Sequence, residues 1–314
     1  MRRRASYTVA CLAGDGVGPE LMAEACRALD AVSRLHGFRV DDVHVPFGSE
    51  ALSRWGQPLP PATRAAYLQA DAVLVAVEDD PVLEQIEAEL DLRAAVTRVR
   101  FGQDGDVRVL HPLSADSADW TVERAFGIAR SSRASLASVD EDGRWRELVE
   151  AAAERHAGVE VEHLTVAAGL PALAFEPEQF DVLVTGSLFG ETLGEIATSI
   201  DRDPLVVARG RLAANGPGVF SPAREKGHEL AGHGVADPSS MLLAVATLLG
   251  EGLGEHAAAA TLAIAVTDVS NNGLRPLRRL VRGTAATTRQ FTDAVLAGLP
   301  ATHSSAEFFR ESRA

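Results

Sequence analysis

The segment that decides the fold runs from Phe180 to Ala197 and reads FDVLVTGSLFGETLGEIA. Its first half is a short apolar run, which predicts a buried strand, and the remainder predicts a helix. Glu191 and Glu195 are four residues apart, so a helix would place both carboxylates on one face, one turn apart. Carboxylates in this arrangement can hold a divalent cation such as Mg²⁺ or Mn²⁺. The segment therefore predicts either a metal site or two solvated acids on an ordinary helix.

Strand and helix patterns alternate on both sides of this segment. Near the N-terminus, the apolar run YTVACLAG is followed by the glycine-rich GDGVGPE and then by a long amphipathic pattern. The last third is dominated by two apolar helical patterns, DPSSMLLAVATLLGEGLG and HAAAATLAIAVTDVSNNG. Strands that alternate with helices predict an α/β fold with helices on both faces of a sheet. With 314 residues, the chain is long enough for two lobes.

The composition limits the expected partners. The formal net charge is −14, from 30 Lys and Arg against 44 Asp and Glu. Nucleic acids and anionic membrane surfaces attract clustered basic residues, so neither is expected as the main partner. No apolar run is long enough to span a bilayer and no signal core is recognisable, so we expect a soluble cytoplasmic protein. The two cysteines, Cys11 and Cys26, stand at no metal-ligand spacing.

A glycine-rich loop opens the first predicted helix. Gly14, Gly16 and Gly18 alternate with other residues, and Asp15 stands between the first two glycines. Glycines allow positive φ and close backbone approach, and a helix N-terminus favours an anion such as a cofactor phosphate. The spacing differs from the six-residue dinucleotide fingerprint, however, and a tight strand-to-helix turn would need the same glycines. These four residues are thus candidates for cofactor binding or, more simply, for a structural turn.

Four landmarks occur in an order that resembles the isocitrate and 3-isopropylmalate dehydrogenase family: GDGVGPE, FDVLVTGSLFGETLGEIA, LAGHGVADPSSMLLAVATLL and GTAATTRQFTDAV. The resemblance implies a two-lobed isopropylmalate-dehydrogenase-like α/β fold, with mixed sheets flanked by helices. Residues 1–100 and 206–314 would form the first lobe, on the cofactor side. Residues 101–205 would form the second lobe, on the dimerisation side. The resemblance also implies NAD or NADP, Mg²⁺ or Mn²⁺, a small carboxylic acid as substrate and active sites shared across a dimer.

Several positions depart from what the resemblance implies. The family's metal-binding aspartates correspond to Glu191 and Glu195, each one methylene longer. A further Asp-Asn pair, supplied by the partner subunit, corresponds to Ala167 and Ala168, which cannot ligate a metal. The lysine that serves as the base corresponds to Glu141, which reverses the local charge. Glu141 is therefore a candidate base in an altered chemistry or, more simply, an exposed loop acid.

The groups that recognise the substrate and the cofactor also differ. The family's carboxylate-binding arginines correspond to Glu87 and Thr97, and another falls near His111, a candidate catalytic residue or a packed histidine. The adenosine loop corresponds to REKGHEL, where Arg224 and Lys226 could meet a phosphate. The alternative interpretation is that this segment is a surface loop that binds no cofactor.

Two interpretations of function remain open. The segment between Phe101 and Trp120 is too short for the family's arm and its catalytic tyrosine. We therefore expect the usual NAD-dependent oxidative decarboxylation of a 2-hydroxy acid to be lost or changed, with a different small carboxylic acid as the ligand. The alternative is a non-catalytic homologue that serves as a structural or regulatory partner, in a homodimer or in a heterodimer with a homologue.

Overall fold

The structure, a computed structural model, describes residues 6–77, 80–223, 230–276 and 284–311. The strands in this part of the chain are β1 (Ser6–Leu12), β2 (Arg39–His44), β3 (Ala72–Val75), β4 (Leu92–Phe101), β5 (Gly105–Pro112), β6 (Ser135–Asp140), β7 (Glu160–Thr165), β8 (Val182–Thr185), β9 (Leu205–Ala213), β10 (Gly218–Pro222), β11 (Leu274–Pro276) and β12 (Thr284–Ala286). The α-helices are α1 (Gly18–Leu35), α2 (Gly48–Trp55), α3 (Pro61–Gln69), α4 (Asp80–Glu89), α5 (Ala118–Arg130), α6 (Gly143–Ala153), α7 (Val166–Phe175), α8 (Ser187–Ala197), α9 (Ser239–Thr247), α10 (His256–Asn271) and α11 (Thr288–Glu311).

The first compact unit, called here the terminal unit, comprises Met1–Asp91 and Asn215–Ala314. Four of its strands are parallel, in the order β2-β1-β3-β10, and β11 pairs separately with β12. β3 is buried along its whole length, and its sequence AVLV is uniformly apolar, as expected of a parallel strand covered on both faces. β2 is an exposed edge strand whose acidic residues discourage further pairing. Every residue of α9 is buried, which explains why that helix is apolar on all sides.

The second compact unit, called here the middle unit, comprises Leu92–Ala214. Its strands follow the order β9-β4-β5-β8-β6-β7. β4 is antiparallel to both β5 and β9, whereas β5, β8, β6 and β7 are parallel. α8 packs against β4 and β5, and α5 packs against β5 and β8. Mixed strand directions with packed helices confirm the predicted α/β class.

The predicted lobe boundaries fall inside the paired strands β4 and β9, whereas the division between the compact units falls at the ends of these strands. The chain changes unit at Asp91 and again at Asn215, whereas the sequence placed the changes after residues 100 and 205. β4 and β9 pair along nearly their whole lengths, which keeps residues 92–100 and 206–214 together in the middle unit. Among the described residues, no helix has both the length and the hydrophobicity needed to cross a membrane.

Candidate functional site

The helix α8 faces the strands of the middle unit through three glycines spaced four residues apart, Gly186, Gly190 and Gly194. Residues at this spacing lie on one face of a helix. A Cβ atom on each glycine would meet a polar side chain: it would overlap Glu141 at Gly186, overlap His111 at Gly190, and lie 3.1 Å from Thr97 Oγ1 at Gly194. The glycines therefore allow α8 to approach the three positions where the family resemblance implies a lysine and two arginines.

Glu141 follows β6 and binds the N-terminus of α8. Its Oε1 accepts a hydrogen bond from the Phe189 backbone N–H at 3.0 Å. The helix begins after Gly186, which has no side chain with which to cap it. The first N–H groups of a helix lack partners within the helix and carry a partial positive charge, so a carboxylate stabilises them. The charge at this position thus has a structural role that the sequence did not predict.

His111 lies near the end of β5 and is buried. Its Nδ1 is 3.3 Å from the Pro112 carbonyl oxygen. Because a carbonyl can only accept, Nδ1 carries the proton in this contact and Nε2 is left as an acceptor. Burial lowers the pKa of His111, although the Pro112 contact and the negative charge of Glu191 act in the opposite direction. The side chain is thus held towards its neutral form.

The two carboxylates of α8 have different surroundings. Glu191 is exposed, and Glu195 is half-exposed and forms an ion pair with Arg209 of β9. Among the residues that the structure describes, no third histidine, cysteine or acid completes a three-ligand group with them. Mg²⁺ and Mn²⁺ require several oxygen ligands, and one of these carboxylates is engaged by a guanidinium. Within this chain Glu195 is thus paired with a guanidinium, and the metal site at Glu191 and Glu195 stays a prediction.

Ala167 and Ala168, the expected positions of the partner's metal ligands, are exposed in the first turn of α7. The Ala168 backbone N–H donates to Thr165 Oγ1 at 3.3 Å, which caps that helix. Their methyl groups offer no atom to a cation.

Arg209 and Arg211 are two further candidate site residues, which the sequence patterns did not indicate. They are two residues apart on β9, opposite Thr97 and Ala95 of β4, and therefore on the face that α8 covers. The charge of Arg211 contributes to the low pKa of His111, which places these two groups near each other. Two arginines at alternate positions of an otherwise apolar strand were the available signal. This face therefore combines two guanidinium groups with one buried imidazole.

Arg98 and Arg100, the arginines nearest to the family's carboxylate-binding positions, lie on the opposite face of β4. Both bind Asp106 of β5, and Arg98 does so through two contacts of 2.9 and 2.7 Å. Arg108 approaches the same carboxylate at 3.4 Å. Neither Arg98 nor Arg100 therefore takes the place of the arginine that the family has at the position of Thr97.

The glycine-rich loop of the terminal unit is a closed turn. Gly14 and Gly16 have φ values of +67° and +61°, which few other residues adopt. A Cβ atom on Gly18 would overlap the Ala13 carbonyl, so the space beside it is filled by the loop itself. Both carboxylate oxygens of Asp15 accept hydrogen bonds from Ser49 at the start of α2.

The described residues of this loop form a tight strand-to-helix turn, and their contact with a cofactor stays a prediction. An acidic side chain in the loop also disfavours an anionic group. Arg224 and Lys226, the other predicted cofactor contacts, lie outside the described residues.

Comparisons with known proteins agree on one family. The sequence model of the family described as isocitrate/isopropylmalate dehydrogenase matches residues 8–104 and 94–295. The 3-isopropylmalate dehydrogenase of a Synechococcus strain is 33% identical, over 86% of this chain and 93% of the relative. The same enzyme of Lactococcus lactis is 31% identical, over 93% of this chain and 99% of the relative.

Solved structures show the same fold. The apo form of a β-decarboxylating dehydrogenase from Thermococcus kodakarensis matches with a TM-score of 0.79 at 23% identity, covering 94% of this chain and 96% of that chain. Isocitrate dehydrogenase from Methylococcus capsulatus matches with a TM-score of 0.73 at 22% identity, covering 93% of this chain and 99% of that chain. The family and the fold that the sequence predicted are both confirmed.

Proposed function

The chain belongs to the isocitrate/isopropylmalate dehydrogenase family, and from this membership we propose that it is a divergent member. In this member the usual NAD-dependent oxidative decarboxylation of a 2-hydroxy acid is lost or changed. The observation that carries the proposal is the hydrogen bond from the Phe189 N–H to Glu141. Removal of the hydroxyl proton requires a base within reach of the substrate. At the position implied for that base, this chain has an acid bound to the end of α8.

The proposal extends to the cofactors. In the family's reaction, a divalent cation polarises the substrate oxygens and NAD accepts a hydride. The pairing of Glu195 with Arg209 and the closed turn at Gly18 both argue against these groups in this chain. Loss of several cooperating groups removes nearly all catalysis, because those that remain have little to act with.

We further propose that a small carboxylic acid remains the ligand of the middle unit. Arg209 and Arg211 lie on the α8 face of β9, and a guanidinium binds carboxylates through paired hydrogen bonds. The neutral His111 would accept a proton from a hydroxyl or a carboxylic acid through Nε2. These groups bind and orient an acid without the family's metal.

An activity assay tests the first part of the proposal. The purified chain would be incubated with 3-isopropylmalate or isocitrate, NAD or NADP, and Mg²⁺ or Mn²⁺, and NAD(P)H would be followed by absorbance. We expect no turnover from the chain itself or from its Glu141→Lys variant, since other positions also differ. If the unmodified chain shows turnover, the proposal is overturned. If Glu191→Ala then abolishes that turnover, the metal site is established.

A thermal-shift titration with mono-, di- and tricarboxylic acids tests the ligand class. A ligand of the native state raises the unfolding midpoint by mass action. We expect at least one acid to raise the midpoint, and Arg211→Gln to remove the effect. Arg202→Gln is the matched control, because Arg202 binds Glu178 at the surface of the same unit. Equal shifts in both variants would contradict binding at β9.

A second candidate function is that of a non-catalytic dimer partner, and an exposed apolar surface favours it. α7 has the uncharged sequence VAAGLPALAF and packs against α8. Phe175 of α7 and Leu188 of α8 are each 74% exposed. Large apolar side chains exposed on adjacent helices are typical of a surface that another protein covers. We propose that this surface joins two copies of the chain, or this chain and a homologue.

Sedimentation measurements distinguish the two candidates. We expect a dimer that Phe175→Ser and Leu188→Ser convert to a monomer, whereas Leu52→Ser, at a half-exposed site in the terminal unit, leaves it intact. Co-expression with an active homologue would show whether mixed dimers form and whether their activity changes. A monomer at all concentrations would contradict the partner function and leave the ligand-binding proposal standing.

The compartment that we propose is the cytoplasm. Cys11 and Cys26 are both free thiols although their sulfur atoms lie 3.9 Å apart. Neighbouring thiols are kept reduced in the cytoplasm and are commonly oxidised outside it. Fractionation of cells that express the tagged chain checks this assignment.

A further inference from the structure

Three ligating side chains of the terminal unit meet on one side of β1, far in sequence from the candidate site. Cys11 comes from β1, Cys26 from α1 and His44 from β2. The Cys11 and Cys26 Sγ atoms are 3.9 Å apart, and Cys26 Sγ is 3.7 Å from His44 Nε2. All three ligand atoms lie within 4.8 Å of one another.

Asp42 adds a fourth group to this cluster. Its Oδ2 lies 3.0 Å from His44 Nε2, and its side chain also meets Cys26. Asp42 and His44 are two residues apart on β2, so both side chains point to the same face of that strand. Two sulfurs, one imidazole nitrogen and one carboxylate are thus available at a single point.

The Cys11–Cys26 and Cys26–His44 separations are close to the edges of a metal tetrahedron. With metal–sulfur bonds of about 2.3 Å and metal–nitrogen bonds of about 2.0 Å, neighbouring ligand atoms stand about 3.5–3.8 Å apart. Thiolate and imidazole ligands select zinc and similar ions over Mg²⁺ or Ca²⁺, which prefer oxygen. We propose that Cys11, Cys26 and His44 bind a zinc-type transition-metal ion, with Asp42 in the fourth position.

The surroundings support such a site. Cys11 is 1% exposed and anchors the cluster in the core, whereas the His44 side chain is 56% exposed and leaves an entry path from solvent. A cation among Cys11, Cys26 and Asp42 would compensate the negative charge of their deprotonated forms.

The site would also tie together the elements around the glycine-rich loop. Cys11 pairs with His44 in the β1–β2 register, and β1 ends one residue later at Leu12. α1, which carries Cys26, begins directly after the loop. A metal ion held by β1, α1 and β2 would cross-link both ends of this loop, and its binding free energy would add to the stability of the terminal unit. The site is independent of the proposed function of the middle unit.

Titration with Co²⁺ after removal of metal by a chelator tests the proposal. We expect one Co²⁺ per chain, with intense visible bands typical of tetrahedral coordination and a thiolate charge-transfer band. Zn²⁺ should displace the Co²⁺ and should protect Cys26 from alkylation. The variants Cys26→Ser and His44→Gln should each weaken Co²⁺ binding by roughly 100-fold. His44 is exposed on an edge strand, so its variant is expected to fold even if the cysteine variant does not.

The controls are His163→Gln, which alters a histidine of the middle unit, and Glu191→Ala, which alters the candidate metal site on α8. Neither control should change Co²⁺ binding. A weak octahedral spectrum, binding that His44→Gln leaves unchanged, or loss of binding in Glu191→Ala would overturn the proposal. Rapid formation of a Cys11–Cys26 disulfide in the presence of Zn²⁺ would overturn it as well.

Discussion

The two faces of the strands β4, β5 and β9 use charged side chains in opposite ways. On one face, Arg98, Arg100 and Arg108 share the carboxylate of Asp106 within the β4–β5 hairpin, and Arg108 also approaches Asp181. On the other face, His111 lies against Gly190 and Arg209 pairs with Glu195, and both of these neighbours belong to α8. The difference teaches that arginines of two paired strands can serve separate purposes, because the register of β4 and β9 places Arg98 and Arg209 on opposite faces.

The largest expected effect on the free energy of unfolding comes from removing the charge of Asp106, on the face that carries Arg98, Arg100 and Arg108. Asp106→Asn would leave three buried arginines without their shared counter-charge, and we expect it to destabilise the fold by about 3–5 kcal/mol. Glu195→Gln is the matched control on the second face, since it removes a partly exposed ion pair worth about 1 kcal/mol or less. Urea unfolding measures both. Equal losses of unfolding free energy in Asp106→Asn and Glu195→Gln would show that the ion pairs on the two faces contribute equally to stability.

A pH profile tests the same carboxylate without the loss of packing. Burial alone would raise the pKa of Asp106, but the charges of Arg108, Arg98 and Arg100 outweigh it, and the pKa lies well below its usual range. In the unfolded chain the pKa is about 3.9. Asp106 therefore stabilises the fold above that pH, and the contribution is lost as the pH falls towards the native pKa. Wild type should lose stability more steeply below about pH 4 than Asp106→Asn does. Parallel profiles would contradict this.

On the face that α8 covers, the contact between Gly190 of α8 and His111 of β5 is the most sensitive to substitution. A methyl group there would overlap Cβ and Cγ of His111, and we expect Gly190→Ala to cost about 2–3 kcal/mol. His111→Ala keeps the Cβ atom, so it should not relieve the overlap, whereas His111→Gly should. A double-mutant cycle in urea measures the coupling between the two positions. Full rescue by His111→Ala would show that α8 lies further from β5 than the structure indicates.

The smallest effect is expected at Gly194, one turn further along α8. A methyl group there would lie 3.1 Å from Thr97 Oγ1, which has to move by only a few tenths of an ångström. The higher helix propensity of alanine offsets that cost, so Gly194→Ala should change stability by less than about 1 kcal/mol.

Gly127→Ala in α5 is the reference for Gly194→Ala. No atom lies within 4 Å of the added methyl group, so the variant should be stabilised by about 0.5–1 kcal/mol. If Gly194→Ala destabilised the fold as much as Gly190→Ala, α8 would be packed equally tightly against β4 and β5.

Much of the fold was predictable because it depends on local patterns. Apolar runs that alternate with amphipathic segments predicted the α/β class, and the spacing of Glu191 and Glu195 placed them on one face of α8. The positive φ values of Gly14 and Gly16 were predicted as a feature of a strand-to-helix turn. Each of these inferences uses residues close together in the chain.

The candidate site was less predictable because its members come from separate elements. Glu141 was expected to be an exposed loop acid or a base, and it caps a helix that begins 46 residues later, at Ser187. Arg209 was not considered at all, and it is the partner of Glu195. An ion pair between a helix and a neighbouring strand has no periodicity in sequence, so pattern analysis does not reveal it.

The sequence by itself determined the family and the α/β class, because these follow from residue identity and local order. Only the tertiary structure decided what the substituted side chains do. Cys11 and Cys26 show no ligand spacing along the chain, yet strand pairing brings His44 beside Cys11 and helix packing brings in Cys26. A site of this kind is determined by distances in space, and those depend on how the chain packs.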